Sequence, residues 1–152
     1  MNKSYLPVFI LSTFLMLIMT PRIQAGEVAL TTMEVESQAL DLATGTLVEA
    51  GPDDSIPVLE GDVRLAYNAD RTPHVVVMSA AEGVTLTFVN EVAFDAITVA
   101  DIAQLTFTAA VVDLPLESHD TVVVRTADGM YYKLGNAIES GTSVTLNYAP
   151  LQ

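Results

Sequence analysis

TVVVRTADGMYYKL, residues 121–134, decides the fold. Asp128-Gly129 is a hairpin signal that permits two registers. A two-residue turn sets Val124 opposite Lys133 and Arg125 opposite Tyr132. A three-residue turn, Ala127-Asp128-Gly129 with Gly129 left-handed, instead pairs Thr126 with Met130, Arg125 with Tyr131, Val124 with Tyr132 and Val123 with Lys133. Strand side chains alternate, so this second register gathers Val122, Val124, Tyr132 and Leu134 on one face. Val123, Arg125, Tyr131 and Lys133 fall on the other. That separation of apolar from polar selects the three-residue turn. The polar face is expected to be wet, with the stems of Arg125 and Lys133 laid across Tyr131 and Val123. As a binding feature, Arg125, Tyr131 and Lys133 form a small positive patch with aromatic surface, suited to an anionic group or a partner's acid. As a plain solvated sheet face they need no function.

Similar runs of valine, threonine, isoleucine, phenylalanine and tyrosine recur about every ten residues, parted by turn signals. This spacing predicts an all-β chain, a single antiparallel β-sandwich or partly open barrel. Strands are expected at Gln38–Leu42, Thr46–Glu49, Asp62–Asn68, Val75–Ser79, Val84–Val89, Thr121–Thr126, Met130–Leu134 and Thr142–Tyr148. In residues 98–105, Thr98 followed by Asp101 resembles a capping box, and Val99, Ile102 and Leu105 share a helical face. One short helix is predicted there, plugging an end of the sandwich and burying Ile102 and Leu105. Residues 50–61 read as a long loop. No repeat or linker divides the chain, so residues 37–152 form one domain, with 26–36 as a flexible leader.

The first 25 residues have the anatomy of a secretory signal peptide: Lys3, an apolar run from Leu6 to Met19, and a polar tail ending at Ala25. A membrane span needs about 20 apolar residues, more than this run supplies. Cleavage after Ala25 leaves four cations, Arg64, Arg71, Arg125 and Lys133, against all 19 acids, a net charge of −15. Such a surface repels nucleic-acid phosphates and anionic lipid heads. The chain has no cysteine, which excludes thiol catalysis, thiolate metal sites and a cysteine-linked lipid anchor. The expected location is secreted, periplasmic or at the cell surface.

LDLATGTLVEAG, DVRLAYNAD, FDAITVADI and VVVRTADGMYYKL together resemble a β-rich module of secreted or surface-anchored bacterial proteins. Haem-binding surface lipoproteins of the HmuY type carry a similar hairpin within a larger all-β fold. The resemblance spans roughly residues 38–148 and implies the fold. Haem carriage is what that family adds, and the chain's two histidines, His74 and His119, are the candidate ligands from opposite sides of an iron. Asp120 is placed to orient His119.

Acids cluster at Asp53-Asp54, at Glu60 and Asp62, and at Asp113, Glu117 and Asp120. Asp53, Asp54, Glu60 and Asp62 are the candidate calcium ligands, although no Asp-x-Asp-x-Asp-Gly loop is present. A carboxylate pair also admits glycoside hydrolysis, but no tryptophan offers a sugar platform. No serine sits in Gly-x-Ser-x-Gly, and no glycine-rich phosphate loop occurs. The chain therefore reads as non-catalytic and without a required cofactor. It is expected to bind a protein or glycan partner, or to self-associate through an edge strand, with the final strand TSVTLNYAPL as the candidate edge. The alternatives are a haem or metal carrier and an extracellular glycan hydrolase.

Overall fold

Ten strands and two short 3-10 segments make up the regular structure of the described residues, 25–31, 38–49, 61–141 and 143–152, in a computed structural model. The strands are β1 (Gly26–Thr31), β2 (Gln38–Asp41), β3 (Thr46–Glu49), β4 (Val63–Asn68) and β5 (Val75–Ala80), then β6 (Thr85–Val89), β7 (Val111–Pro115), β8 (Thr121–Arg125), β9 (Tyr131–Ser140) and β10 (Ser143–Pro150). They form two five-stranded antiparallel sheets, ordered β1-β10-β9-β8-β6 and β3-β2-β4-β5-β7. The inner faces meet in one core. Val28, Leu30, Leu86, Val122, Val124, Tyr132, Leu134, Val144 and Leu146 come from the first sheet, and Leu40, Val63, Leu65, Val76, Met78 and Leu114 from the second. Each large aliphatic so buried contributes about 1.5–3 kcal/mol. On one flank the sheets join through a bridge in which Leu86 and Ala109 exchange backbone hydrogen bonds. On the other, β1 and β3 are the outermost strands, so the sandwich is not closed.

The β8–β9 hairpin has the three-residue turn and the pairing expected: Arg125 with Tyr131, Val124 with Tyr132, Val123 with Lys133. Gly129 takes φ 87°, a left-handed conformation that glycine reaches without steric cost. The expected wetness of the outer face needs correction. Residues 92–107 fold back across it, and Val123 is completely buried against Ile97 and Leu151, with Ile102, Leu105, Phe107 and Tyr131 packed around them. Within this arm the expected helix exists as a 3-10 helix, Val99–Gln104, closed by the Thr98/Asp101 capping box. It covers the sheet face instead of plugging an end, and Ile102 and Leu105 are only half-buried.

Two further expectations change. Residues 26–31, read as part of a flexible leader, form β1, which pairs along its whole length with β10 and sends Val28 and Leu30 into the core. The final strand is consequently interior, flanked by β1 and β9, and the edge position passes to β1. β7, VVDLP, escaped the sequence pattern because an acid and a proline interrupt its short apolar run. Residues 1–24, 32–37, 50–60 and 142 lie outside the described residues, and with them most of the expected signal peptide, the rest of the leader and the loop.

One irregularity redirects a side chain. Thr145 pairs with Ile138 and Asn147 with Gly135, so β9 carries one extra residue, and Asn136 takes φ 52° there. Such a bulge shifts the alternation by one. Beyond it Ala137 and Glu139 share the inward face of Tyr132 and Leu134, instead of the outward face of Lys133.

Candidate functional site

Of the first patch, only Arg125 behaves as expected. It is exposed, and its side chain makes no hydrogen bond or ion pair among the described residues. Lys133 donates from Nζ to the carbonyl oxygens of Phe94 at 2.8 Å and Ile97 at 2.9 Å. The ammonium also stands 4.7 Å from the centre of the Phe94 ring. Tyr131 packs on Phe107 with ring centres 5.4 Å apart. Lys133 and Tyr131 thus fasten the arm to the sheet, which explains a cation among valines and tyrosines without any ligand.

The histidines do not form a pair of equivalent loop ligands. Tyr67, on β4, donates its hydroxyl proton to Glu139 Oε1 at 2.6 Å. With that proton committed, His74 Nδ1 carries its own proton and offers it to the Tyr67 oxygen at 2.9 Å and to Glu139 Oε2 at 3.1 Å. This clasp joins β9 of one sheet to β4 and the start of β5 in the other. Hydrogen bonds from Tyr67 and then His74 hold the Glu139 carboxyl below the usual carboxylate range. The same bond, with burial, pushes the Tyr67 phenol up to about 12. His119 is exposed. Asp120 does not orient it: the Asp120 carboxylate accepts the Glu91 backbone N–H at 2.7 Å and shapes a turn.

The acids are distributed by fold. Asp53, Asp54 and Glu60 fall outside the described residues. Asp113 is paired with Arg71, and Glu117 sits in a turn at φ 53°. Asp62 is brought together with two acids that spacing did not connect, Asp41 and Asp128. They line a cleft of about 380 Å³ with Ala43, Gly61, Thr126, Ala127 and Tyr132. The cleft opens where the β2–β3 turn of one sheet faces the β8–β9 turn of the other, with the start of β4 between them.

Each acid is there for a local reason. Asp41 Oδ1 accepts the Ala43 and Thr44 N–H groups at 2.9 and 3.0 Å, closing the turn that Gly45 completes at φ 71°. Asp128 Oδ1 accepts the Thr126 hydroxyl, and the Met130 N–H at 3.4 Å. Asp62 Oδ2 accepts the Leu42 N–H at 2.9 Å. Aspartates serve turns in this way wherever hairpins are tight. One oxygen of each carboxylate is so engaged, and the other has no bonded partner among the described residues.

The environment drives two of these acids apart. Burial raises the Asp62 carboxyl above the usual range, against the Leu42 hydrogen bond and with the charges of Asp41 and Asp128 adding to the rise. The Thr126 hydroxyl and Met130 N–H hold Asp128 below it. Tyr132 is also raised, first by burial and then by the charges of Asp128, Asp62 and Asp41.

Among the described residues no group of three histidines, cysteines or acids stands close enough to hold a metal ion, and no helix is long and apolar enough to cross a membrane. Comparison of the chain with protein-family models, curated proteins and solved structures finds no match.

Proposed function

We propose that the protein is an exported, non-catalytic interaction module that works by strand addition, with a second copy of the chain as its partner. The observation that carries this reading is the position of β1. It is a six-residue strand at the rim of its sheet, paired with β10 on one side only among the described strands. Its outward-facing side chains are small or acidic, Glu27 and Ala29, and both are exposed. An edge of this kind presents a row of backbone N–H and C=O groups to another strand, which supplies affinity without a deep pocket. The acidic composition fits export, because a formal net charge of −13 resists unspecific association with nucleic acid and lipid heads.

Light scattering of the exported protein across a concentration series tests this. Association that Ala29→Lys weakens, with the thermal midpoint unchanged, is expected, because a cation on an edge strand disfavours flat pairing. A strict monomer at every concentration contradicts the reading.

A further inference from the structure

We infer that two copies of the chain join β1 to β1, antiparallel, about a two-fold axis at Ala29, and that the assembly stops at two. The interface rests on the reading of β1 as a docking edge and adds to it a register, a closure and a response to salt. Pairing β1 with the same strand of a second copy uses up the edge of both, so no β1 is left to recruit a third. The other outermost strand on that flank, β3, has four residues against the six of β1, and short edge strands are poor templates.

Side-chain alternation restricts the register. Residues directly opposite each other in an antiparallel pair lie on the same face of the sheet. Val28 and Leu30 face the core, and Glu27 and Ala29 face outward. The axis must therefore pass through a residue, because an axis between two residues sets inward side chains opposite outward ones. Centred on Glu27 or Leu30, the strands overlap over only half their length, and the first choice also sets two carboxylates face to face. Centred on Val28, the two Glu27 residues are offset by two positions, about 7 Å along the strand. Centred on Ala29, they are offset by four positions, about 14 Å. That separation exceeds the screening length of about 8–10 Å at moderate salt. The Ala29 register also sets Val28 opposite Leu30 twice, so the inner apolar face runs on across the seam. The Val28 register sets Gly26 there instead.

Charge supplies a second, independent argument for a like partner. The chain has 19 acids and 6 lysines and arginines, yet β1 and β10 together hold a single charged residue, Glu27. On the outer face the pairing runs from Ala29 to Thr145 to Ile138, and Ile138 is 52 % exposed. An axis at Ala29 continues this row through the same three residues of the second copy in reverse order, with no charge in it. Depletion of charge is what distinguishes the centre of an interface from the rest of a protein surface. Away from the seam the two copies repel, because both are strongly acidic. Salt screens that repulsion, so association strengthens as salt rises, the reverse of a complex between an acidic and a basic protein.

The test uses the exported protein, in which the absence of cysteine makes an introduced thiol unique. Ala29 and Glu27 are both exposed, so a cysteine at either position leaves the core untouched. In a glutathione redox buffer Ala29→Cys is expected to form a disulfide-linked dimer. Opposite residues of an antiparallel pair stand about 4.5–5.5 Å apart at Cα, within disulfide reach. Glu27→Cys, offset by about 14 Å, is expected to link at least about tenfold more slowly. Light scattering of the parent is expected to level off at about twice the monomer mass. That plateau should come at lower concentration in about 150 mM salt than in about 10 mM, where charges are felt over about 30 Å. A parent that is monomeric at every concentration and salt removes the docking edge and this interface together. Where the parent does associate, any of three results overturns the interface alone: Ala29→Cys linking no faster than Glu27→Cys, growth past two copies, or association that salt weakens.

Discussion

Strands β4 and β9 carry a polar cluster at each end, and the two clusters are opposites. At one end Tyr67, His74 and Glu139 join the sheets with donors and acceptors matched. At the other, Asp41, Asp62, Asp128 and Tyr132 also gather from both sheets, but three negative groups and a phenol face one another with no cation among them. The first arrangement explains itself as a fastening. In the second, one oxygen of each carboxylate has no protein partner among the described residues, and Asp62 is held in a setting that disfavours its charge. Folds tolerate such mismatches mainly where function requires them.

The frame shared by both clusters gives the largest expected effect. Leu65 lies on β4 between them and is 1 % exposed, so Leu65→Ala should cost about 2–5 kcal/mol in denaturant unfolding and loosen both ends together. Next is Lys133→Met, which removes two charged hydrogen bonds from the outer face of β9 and should cost about 2 kcal/mol. Hydrogen exchange should then quicken in the backbone of residues 97–105 while that of Tyr67 and Tyr132 stays protected.

Tyr67→Phe cuts the fastening alone and should lower the melting midpoint by roughly 5 °C. The matching change at the other end, Tyr132→Phe, should leave the midpoint unaltered, because that hydroxyl has no protein partner among the described residues. Titration sharpens the distinction further. The Tyr67 phenol is raised from 10.0 to about 12, so the unfolded chain releases its proton first and stability falls as pH climbs from 10 toward 12. Tyr67→Phe should remove that part of the alkaline loss.

Much of this was legible in the sequence, and the missing parts share a cause. The β8–β9 register followed from alternation around Asp128-Gly129, and the face holding Val122, Val124, Tyr132 and Leu134 proved to be the core. The capping box at Thr98 was legible because it is local. What covers an outer face is not local: nothing in the alternation of Val123 and Lys133 shows that residues 92–107 return across them. β1 offers only Val28 and Leu30 as a pattern, and β10 decides its pairing. The extra residue at Asn136 turns Glu139 from the outward face to the inward one, and no turn signal announced that bulge. The cleft was hidden for the same reason. Asp41 and Asp62 read as strand residues and Asp128 as a turn residue, but their meeting along one cleft depends on which turn of one sheet meets which turn of the other.

The opposition between the two ends is tested most directly by removing one charge from each and comparing thermal unfolding at pH 7. Glu139 is held below its ordinary value of 4.5, so it stabilises the fold above that pH and ceases to as pH falls through its lowered value. Asp62 is held above its ordinary 3.8, so its ionised form destabilises the fold near neutrality. Glu139→Gln should therefore melt lower than the parent and Asp62→Asn higher, with both differences shrinking as the parent carboxyls protonate in acid. A lower midpoint for Asp62→Asn, equal in sign to that of Glu139→Gln, would show the acidic end to be as well matched as the other and would contradict the account.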